Sequence, residues 1–398
     1  METLERLLHP YPVDRFLSEN WTQQGLFVAT DLPDRFSHLF SWERLNYLLN
    51  YHRYKHPDLR FSLDGKTLPP CSPTDWVKRC QDGATLILNH IHELDPTLAQ
   101  WTSALSREIG HRTQTNTYCS WPSQQGFNCH FDPHEVFILQ IDGFKEWFVF
   151  EETLEYPCKS DKSPDLQPPD SPPYLNCILS PGDVLYIPRG HWHYAIARTA
   201  PSLHLTLGIT CRTGIDWLNW LVGKLQNDRA WRQNLPLVPN SDTGPFDRHL
   251  QNLSDRLVEL LEEQKLTREF TQEFTLSGDR NPEIALPTQV GFDLFDKGLD
   301  TRFRPPKYQP VRIEFRAKDE YCICTLDRQI DLKGVTPECV ENLFCGKSFS
   351  IWDVAEWLPN CDLETELLPL LLRLIEAQML LVEEDAGIHE GTKGESHQ

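Results

Sequence analysis

No run in this chain approaches the roughly 18 consecutive apolar residues that a membrane helix needs. The first residues, Met1 to Arg6, carry acids where a signal peptide wants bases, so the expected location is cytoplasmic. The twelve cysteines include no CxxC pair. The close pair Cys322 and Cys324 alternates on a strand-like run, which reads as reduced, buried thiols rather than a zinc ribbon or a disulfide framework. Clustered Lys and Arg are also missing. With 38 basic against 58 acidic residues the net charge is −20, which argues against a nucleic-acid footprint. A basic protein partner suits that charge, although the same charge would also simply keep the protein in solution. Global disorder is excluded by a hydrophobic fraction of 39% with twelve Trp and twenty Phe.

At 398 residues the chain is long enough for two or three domains, each with its own core. From Thr3 to Asn50, short apolar clusters (Leu4, Leu7 and Leu8, then Leu45, Leu48 and Leu49) are broken by Pro10, Pro12 and Pro33. They predict helices packed beside a core. From about Thr115 to Cys211 the period falls to two, with Gly and Pro punctuation, which predicts an all-β module. Within it Asp142-Gly143 separates two apolar runs, 136–141 and 145–150, and the pair tolerates positive φ, so a tight hairpin is expected there. Residues 157–173, rich in Pro, Ser and Asp, are expected to be an exposed insertion, a lid or a partner loop. Beyond Gly214 the pattern turns helical. Trp217, Leu218, Leu221, Leu225, Leu257 and Leu261 offer more apolar surface than a peripheral helical pair can bury, which points to a dimer. A linker with Pro305, Pro306 and Pro310 leads to a small α/β region ending near Asp385.

The chemistry sits in the β module. Residues two apart on a strand share a face, so His130 and Asp132 aim an imidazole and a carboxylate at one point. A third ligand is supplied by the stretch from Gly182 through Pro188 and Gly190 to His193. Two imidazoles and one carboxylate leave open positions on one face of a metal, the arrangement of non-heme Fe(II) oxygenases, whereas zinc favours closed tetrahedral sites. His191 would share a face with His193 on a regular strand, but the turn at Pro188 to Gly190 is expected to leave it outside. His134 is expected at the mouth or the surface, because Pro133 interrupts the strand. Lys145 opens a mostly apolar and aromatic strand. Such an ammonium either faces water on an edge or, if buried, needs an anion such as a dicarboxylate.

Together these residues resemble the JmjC hydroxylases, and more narrowly the ribosomal oxygenases. The shared features are His130-Phe-Asp132, Glu135-Val-Phe137, Gly143-Phe-Lys145 and the stretch from Gly182 to His193. The resemblance extends to residues 12–16 with Trp21, and to residues 231–236. It implies a mainly β core with α elements: a double-stranded β-helix (cupin) barrel followed by a helical dimerisation domain and a winged-helix-like domain. The implied boundaries are 1–211, 212–300 and 301–385, with a polar tail at 386–398. It further implies an Fe(II)- and 2-oxoglutarate-dependent protein hydroxylase that acts on Arg or His of a basic protein, most simply a ribosomal protein. In that reading Lys145 holds the distal carboxylate of 2-oxoglutarate, with Asn116, Tyr118 and Thr206 as further cosubstrate or substrate contacts. Glu135 stands where the family often has Asp, and the insertion 157–173 is unlike compact members. Two rivals stand beside it. One is a cupin oxygenase or isomerase acting on a small metabolite, against which Lys145 speaks. The other is a ligand-sensing winged-helix regulator, but from Arg312 to Asp385 there are 7 Lys plus Arg and 16 Asp plus Glu, a net of −9 that would repel DNA.

Overall fold

The computed structural model describes residues 2–383, apart from 123–125, 199, 240–241, 263–265, 268, 272–273, 275–282, 293, 308–310 and 326–327. The expected polar tail 386–398 and Pro310 of the linker therefore lie outside the described residues. Two compact units divide the chain, Met1–Arg256 and Leu257–Gln398. No helix among the described residues is long and apolar enough to cross a membrane, and the twelve cysteines are free thiols.

In the first unit the strands follow one another as β1 (Leu26–Val28), β2 (Leu59–Leu63), β3 (Lys66–Thr67), β4 (Thr85–Leu88), β5 (Arg112–Ser120), β6 (Glu135–Asp142), β7 (Lys145–Glu152), β8 (Leu175–Leu179), β9 (Val184–Ile187), β10 (His191–Ala197) and β11 (Ser202–Thr210). A large antiparallel sheet runs in the order β1-β9-β6-β11-β5-β4-β2-β3, and a small one runs β10-β7-β8. Alternate residues decide where each face goes. On β6, Val136 and Ile138 join Trp147, Val149, Leu179, Leu185 and Ile187 in a core between the sheets. Phe137 and Leu139 of the same strand join the outer core with Leu4, Leu8, Phe16 and Leu48 from the N-terminal helices. A strand covered on both faces must be apolar throughout, which is why 136–139 reads as an unbroken run. Each such buried side chain contributes roughly 1.5–3 kcal/mol.

On β11, Leu203, Leu205, Leu207 and Ile209 turn to the outer core, which leaves Ser202, His204 and Thr206 on the inner face. The inner space is therefore apolar beside β6 and β9 and polar beside β11 and β5. The helix Pro96–Ile109 backs this sheet. Asp95 caps it by accepting hydrogen bonds from the Thr97 and Leu98 N–H groups at 2.9 and 3.0 Å, and pairs with Arg44 at 2.7 Å.

The hairpin expected at Asp142-Gly143 is not one. Gly143 does adopt φ +68, and a Cβ there would meet the Pro201 carbonyl oxygen. But β6 pairs with β9 and β11 while β7 pairs with β8 and β10. The turn is a corner that carries the chain from one sheet to the other, because each strand finds its partners among sequence-distant strands. Residues 157–173 lie between β7 and β8 and are largely exposed.

After β11 the chain forms the helix Gly214–Leu225, on which Ile215, Leu218 and Val222 are exposed, and the helix Gly244–Glu262. In the second unit the strands Arg312–Ala317, Glu320–Cys324 and Gln329–Lys333 form one sheet, and Arg302–Arg304 pairs with Phe349–Ser350 and Leu381–Val382. The helices Pro337–Phe344, Ile351–Trp357 and Leu368–Glu376 share a core with Phe303, Ile323 and Leu332.

Candidate metal centre and cavity

The segment that precedes β6 is laced onto the start of β10. His130 N–H donates to the His193 carbonyl at 3.0 Å, His193 N–H donates to the His130 carbonyl at 2.7 Å, and Gly190 N–H donates to the Asp132 carbonyl at 3.0 Å. This pairing sets the two imidazoles side by side, with ring centroids 4.5 Å apart. Nε2 of His193 lies 3.7 Å from Oδ2 of Asp132. One ligand atom from each of His130, Asp132 and His193 falls within 4.8 Å of the others.

Nδ1 of His130 lies 2.8 Å from the Asn128 carbonyl oxygen, and Nδ1 of His193 lies 3.0 Å from that of His191. A carbonyl only accepts, so each Nδ1 carries the hydrogen and each Nε2 keeps a lone pair for a metal. Burial, reinforced by His130, pushes the His193 imidazole down to about 4, so it stays neutral. Burial by itself would raise the Asp132 carboxyl, but His134, His130, His193 and Arg60 together hold it below its ordinary value. His193 and Asp132 thus rest in the protonation states that ligation requires.

His191 is kept away by a register slip in β10 between positions 191 and 193, so the two-residue period that would align them is broken. Its imidazole is held by Glu152 at 3.0 Å and by the Tyr174 hydroxyl at 2.8 Å. His134 does not join the triad either; its Nδ1 lies 3.3 Å from the Glu135 carbonyl oxygen. Two other groups of potential ligands occur among the described residues, Glu151 with Glu152 and His191, and Glu314 with Cys322 and Cys324. In the first the imidazole is already engaged, and in the second Arg312 and Arg316 both pair with the carboxylate. Behind the triad Glu135 is buried, and accepts from the Tyr186 hydroxyl at 2.5 Å and from Arg189 N–H at 3.1 Å, which fastens the loop that delivers His193.

The triad opens into a cavity of about 240 Å³ between the sheets, whose wall includes Tyr118, Lys145 and Thr206. Lys145 is 6% exposed, and its Nζ donates to the Ser120 hydroxyl at 3.0 Å, which in turn lies 3.2 Å from the Thr85 hydroxyl. Burial pushes this ammonium down to about 7. No carboxylate pairs with it among the described residues, and it is buried in the cavity wall, not an edge lysine facing water. Asn116 is not part of the described wall; its Oδ1 accepts from His90 N–H at 2.9 Å, which ties β5 to the loop after β4. Of the tryptophans near the triad in the sequence, Trp147 helps wall the cavity. Trp121 stacks on Trp42 at 6.5 Å, and Trp192 packs against Phe131 at 5.1 Å.

Sequence reasoning missed Arg60 and His204, both of which line the cavity. His204 lies two residues before Thr206 on the same face and was readable from the period. Arg60 comes from β2, and nothing near it in the sequence resembles a site. Its guanidinium lies 5.5 Å from the Phe127 ring and hydrogen-bonds the Tyr118 side chain.

A family model described as the JmjC domain matches residues 87–216. Ribosomal oxygenase 1 of Rattus norvegicus is 33% identical over 221 residues, which is 51% of this chain and 36% of that relative. The bifunctional lysine-specific demethylase and histidyl-hydroxylase NO66 of Drosophila persimilis is 30% identical over 287 residues, 64% of this chain and 41% of the relative. The chain therefore spans less than half the length of these relatives. Among solved structures, YcfD, a ribosomal oxygenase from Escherichia coli in complex with cobalt and 2-oxoglutarate, is 17% identical and superposes with a TM-score of 0.60 over 94% of this chain and 99% of that one. The complex of YcfD with cobalt and succinic acid gives 18% and 0.61. At such identities the likeness is one of fold.

Proposed function

Since the chain carries a JmjC domain, we propose that it is an Fe(II)- and 2-oxoglutarate-dependent oxygenase that hydroxylates a side chain of a protein. The observation that carries this reading is the meeting of the triad and the unpaired ammonium of Lys145 in one cavity. His130, Asp132 and His193 would hold the iron by three positions and leave the rest for cosubstrate and oxygen. Bound there, iron with 2-oxoglutarate and dioxygen would supply the oxidising power: one oxygen atom would end in the succinate formed as 2-oxoglutarate loses carbon dioxide, and the other in a C–H bond of the substrate. The chain's own share is positioning. Lys145 anchors the far carboxylate, Thr206 and Tyr118 line the path, and the aromatic wall of Phe127, Trp147 and Tyr194 keeps water out.

Between Arg and His as the target, the electrostatics of the cavity favours His. Among its described lining residues the one carboxylate is Asp132, committed to the metal, and Arg60 already places a guanidinium at the wall. An entering arginine would meet like charge with no free partner, whereas a neutral imidazole can hydrogen-bond Tyr118 or Arg60. Some relatives are named histidyl-hydroxylases and others ribosomal oxygenases. A ribosomal protein is the substrate we infer, with its flanking basic residues drawn by the net charge of −20. For the rest of the chain we infer that residues 212–300 serve dimerisation and 301–385 form a winged-helix-like domain that does not bind DNA.

Intact-mass comparison of ribosomal proteins from cells with and without the gene tests the reading, together with succinate release on candidate peptides. One added oxygen on a ribosomal protein is expected. No mass difference, alongside rapid oxidation of a free metabolite by the purified protein, would sink the protein-substrate reading and leave the metabolite-oxygenase rival.

A further inference from the structure

Two polar atoms in the cavity wall have no partner. Nε1 of Trp147 and Nδ1 of His204 are buried without a hydrogen bond, on side chains that are 7% and 2% exposed. Around them the polar groups are matched: Lys145 with Ser120, Ser120 with Thr85, and the triad imidazoles with backbone carbonyls. Leaving a buried polar atom unmatched is unfavourable, and native interiors rarely do it. Two such atoms in the wall of one cavity mark the outline of a molecule that brings its own partners.

Position and chemistry narrow what that molecule is. The Trp147 ring lies 6.2 Å from the His193 ring on one side and 5.6 Å from Nζ of Lys145 on the other. The His204 ring stands edge-on to it at 5.7 Å and 81°, and is itself fixed flat against Tyr118 at 5.0 Å and 1°. A ligand that reaches from the metal ligands to Lys145 must pass along these two rings. The indole N–H is donor only, so its partner must be an acceptor oxygen. Burial, with Lys145 nearby, holds the His204 imidazole well below its ordinary range, so it is neutral and also offers one N–H.

We propose that Trp147 and His204 are binding residues for the 2-oxo dicarboxylate, donating from the indole and imidazole N–H to its oxygens between the metal and Lys145. This rests on the oxygenase reading above. It adds two contacts that come from β7 and β11, and therefore from both sheets.

Trp147→Phe keeps a flat ring while removing the N–H together with part of the indole's bulk, and His204→Phe keeps a ring against Tyr118. Binding of 2-oxoglutarate to the iron-loaded full chain, measured by calorimetry without oxygen, should weaken about tenfold or more in each variant, as for loss of a hydrogen bond to a charged group. Iron stoichiometry should stay at the parent value, and the KM for 2-oxoglutarate should rise. A merely structural role would move the melting temperature and leave the affinity alone. Affinities within twofold of the parent in both variants overturn the proposal, and if His204→Phe does not fold, Trp147→Phe decides it. A parent protein that binds no 2-oxoglutarate at all overturns the oxygenase reading itself, a result distinct from unchanged variants.

Discussion

Nε2 of His191 lies 3.0 Å from a carboxylate oxygen of Glu152, and the pair stands apart from the triad although His191 is only two residues from His193. From sequence spacing the two histidines are interchangeable candidates. The first prediction separates them. His130→Ala, Asp132→Ala and His193→Ala should each abolish iron binding, while His191→Ala should keep it and lose roughly 1–3 kcal/mol of stability, because the Tyr174 hydroxyl and Glu152 lose a partner. Iron stoichiometry by mass spectrometry with a parallel thermal melt reads both. Iron retained in His193→Ala but lost in His191→Ala would reverse the assignment.

Lys145→Ala should weaken 2-oxoglutarate by about two decades or more and leave iron bound, since removing one partner of a buried ion pair costs roughly 3–5 kcal/mol. Lys145→Arg should be milder. Unchanged affinity in Lys145→Ala would favour the small-metabolite rival.

The same residue sets a pH dependence. Without ligand the ammonium loses its proton near 7, and a bound carboxylate favours the charged form, so binding takes up a proton above that value. Affinity for 2-oxoglutarate should therefore fall as pH rises above about 7, and Lys145→Arg should flatten the profile. Stability of the ligand-free protein runs the other way. The unfolded lysine, with its ordinary value near 10.4, holds its proton longer than the buried one, so between about 7 and 10 the unfolded state binds more protons and this residue's contribution rises with pH. Chemical denaturation at two pH values checks the sign.

Along Gly214–Leu225, Ile215, Leu218 and Val222 are exposed at 57%, 49% and 53% while Leu221 is buried. Leu218→Asp with Val222→Asp should yield a monomer in sedimentation, with the iron site intact, if this stripe forms the two-fold contact. A parent that already sediments as a monomer at micromolar concentration would show that the stripe is not a dimer seam.

Arg60 gives the substrate its test. Peptides that present His should be turned over at least tenfold better than the same peptides with Arg. Arg60→Gln should narrow that gap by admitting the cationic side chain. Equal turnover of both peptides by the parent would remove Arg60 as the discriminating residue.

Much of the site was legible because its spacing is local: His130 and Asp132 two apart, and a turn delivering His193 from Gly190. The exclusion of His191 was expected, but its cause, a register slip, belongs to the pairing of β10 with β7 and leaves no trace in the sequence. The Asp142-Gly143 corner looked like a hairpin because turn chemistry fixes a bend but not which strands then pair. Arg60 was invisible for a related reason: a strand 70 residues upstream of the triad joins the site only through the order β5-β4-β2 within the large sheet.

The division of β11 into leucines on one face and Ser202, His204 and Thr206 on the other has a consequence for how this protein can vary in length. Deleting or adding one residue within 203–207 would turn leucine side chains into the cavity and send an imidazole and a hydroxyl into the helix-covered core, exchanging the two faces at once. In contrast, residues 157–173 can lengthen or shorten without moving a ladder partner, since they precede β8. Variation among natural and engineered forms should therefore be a matter of letters in β11 and of lengths in the loop. A library with indels at both places, sorted for soluble iron-binding protein, should recover them almost solely from the loop.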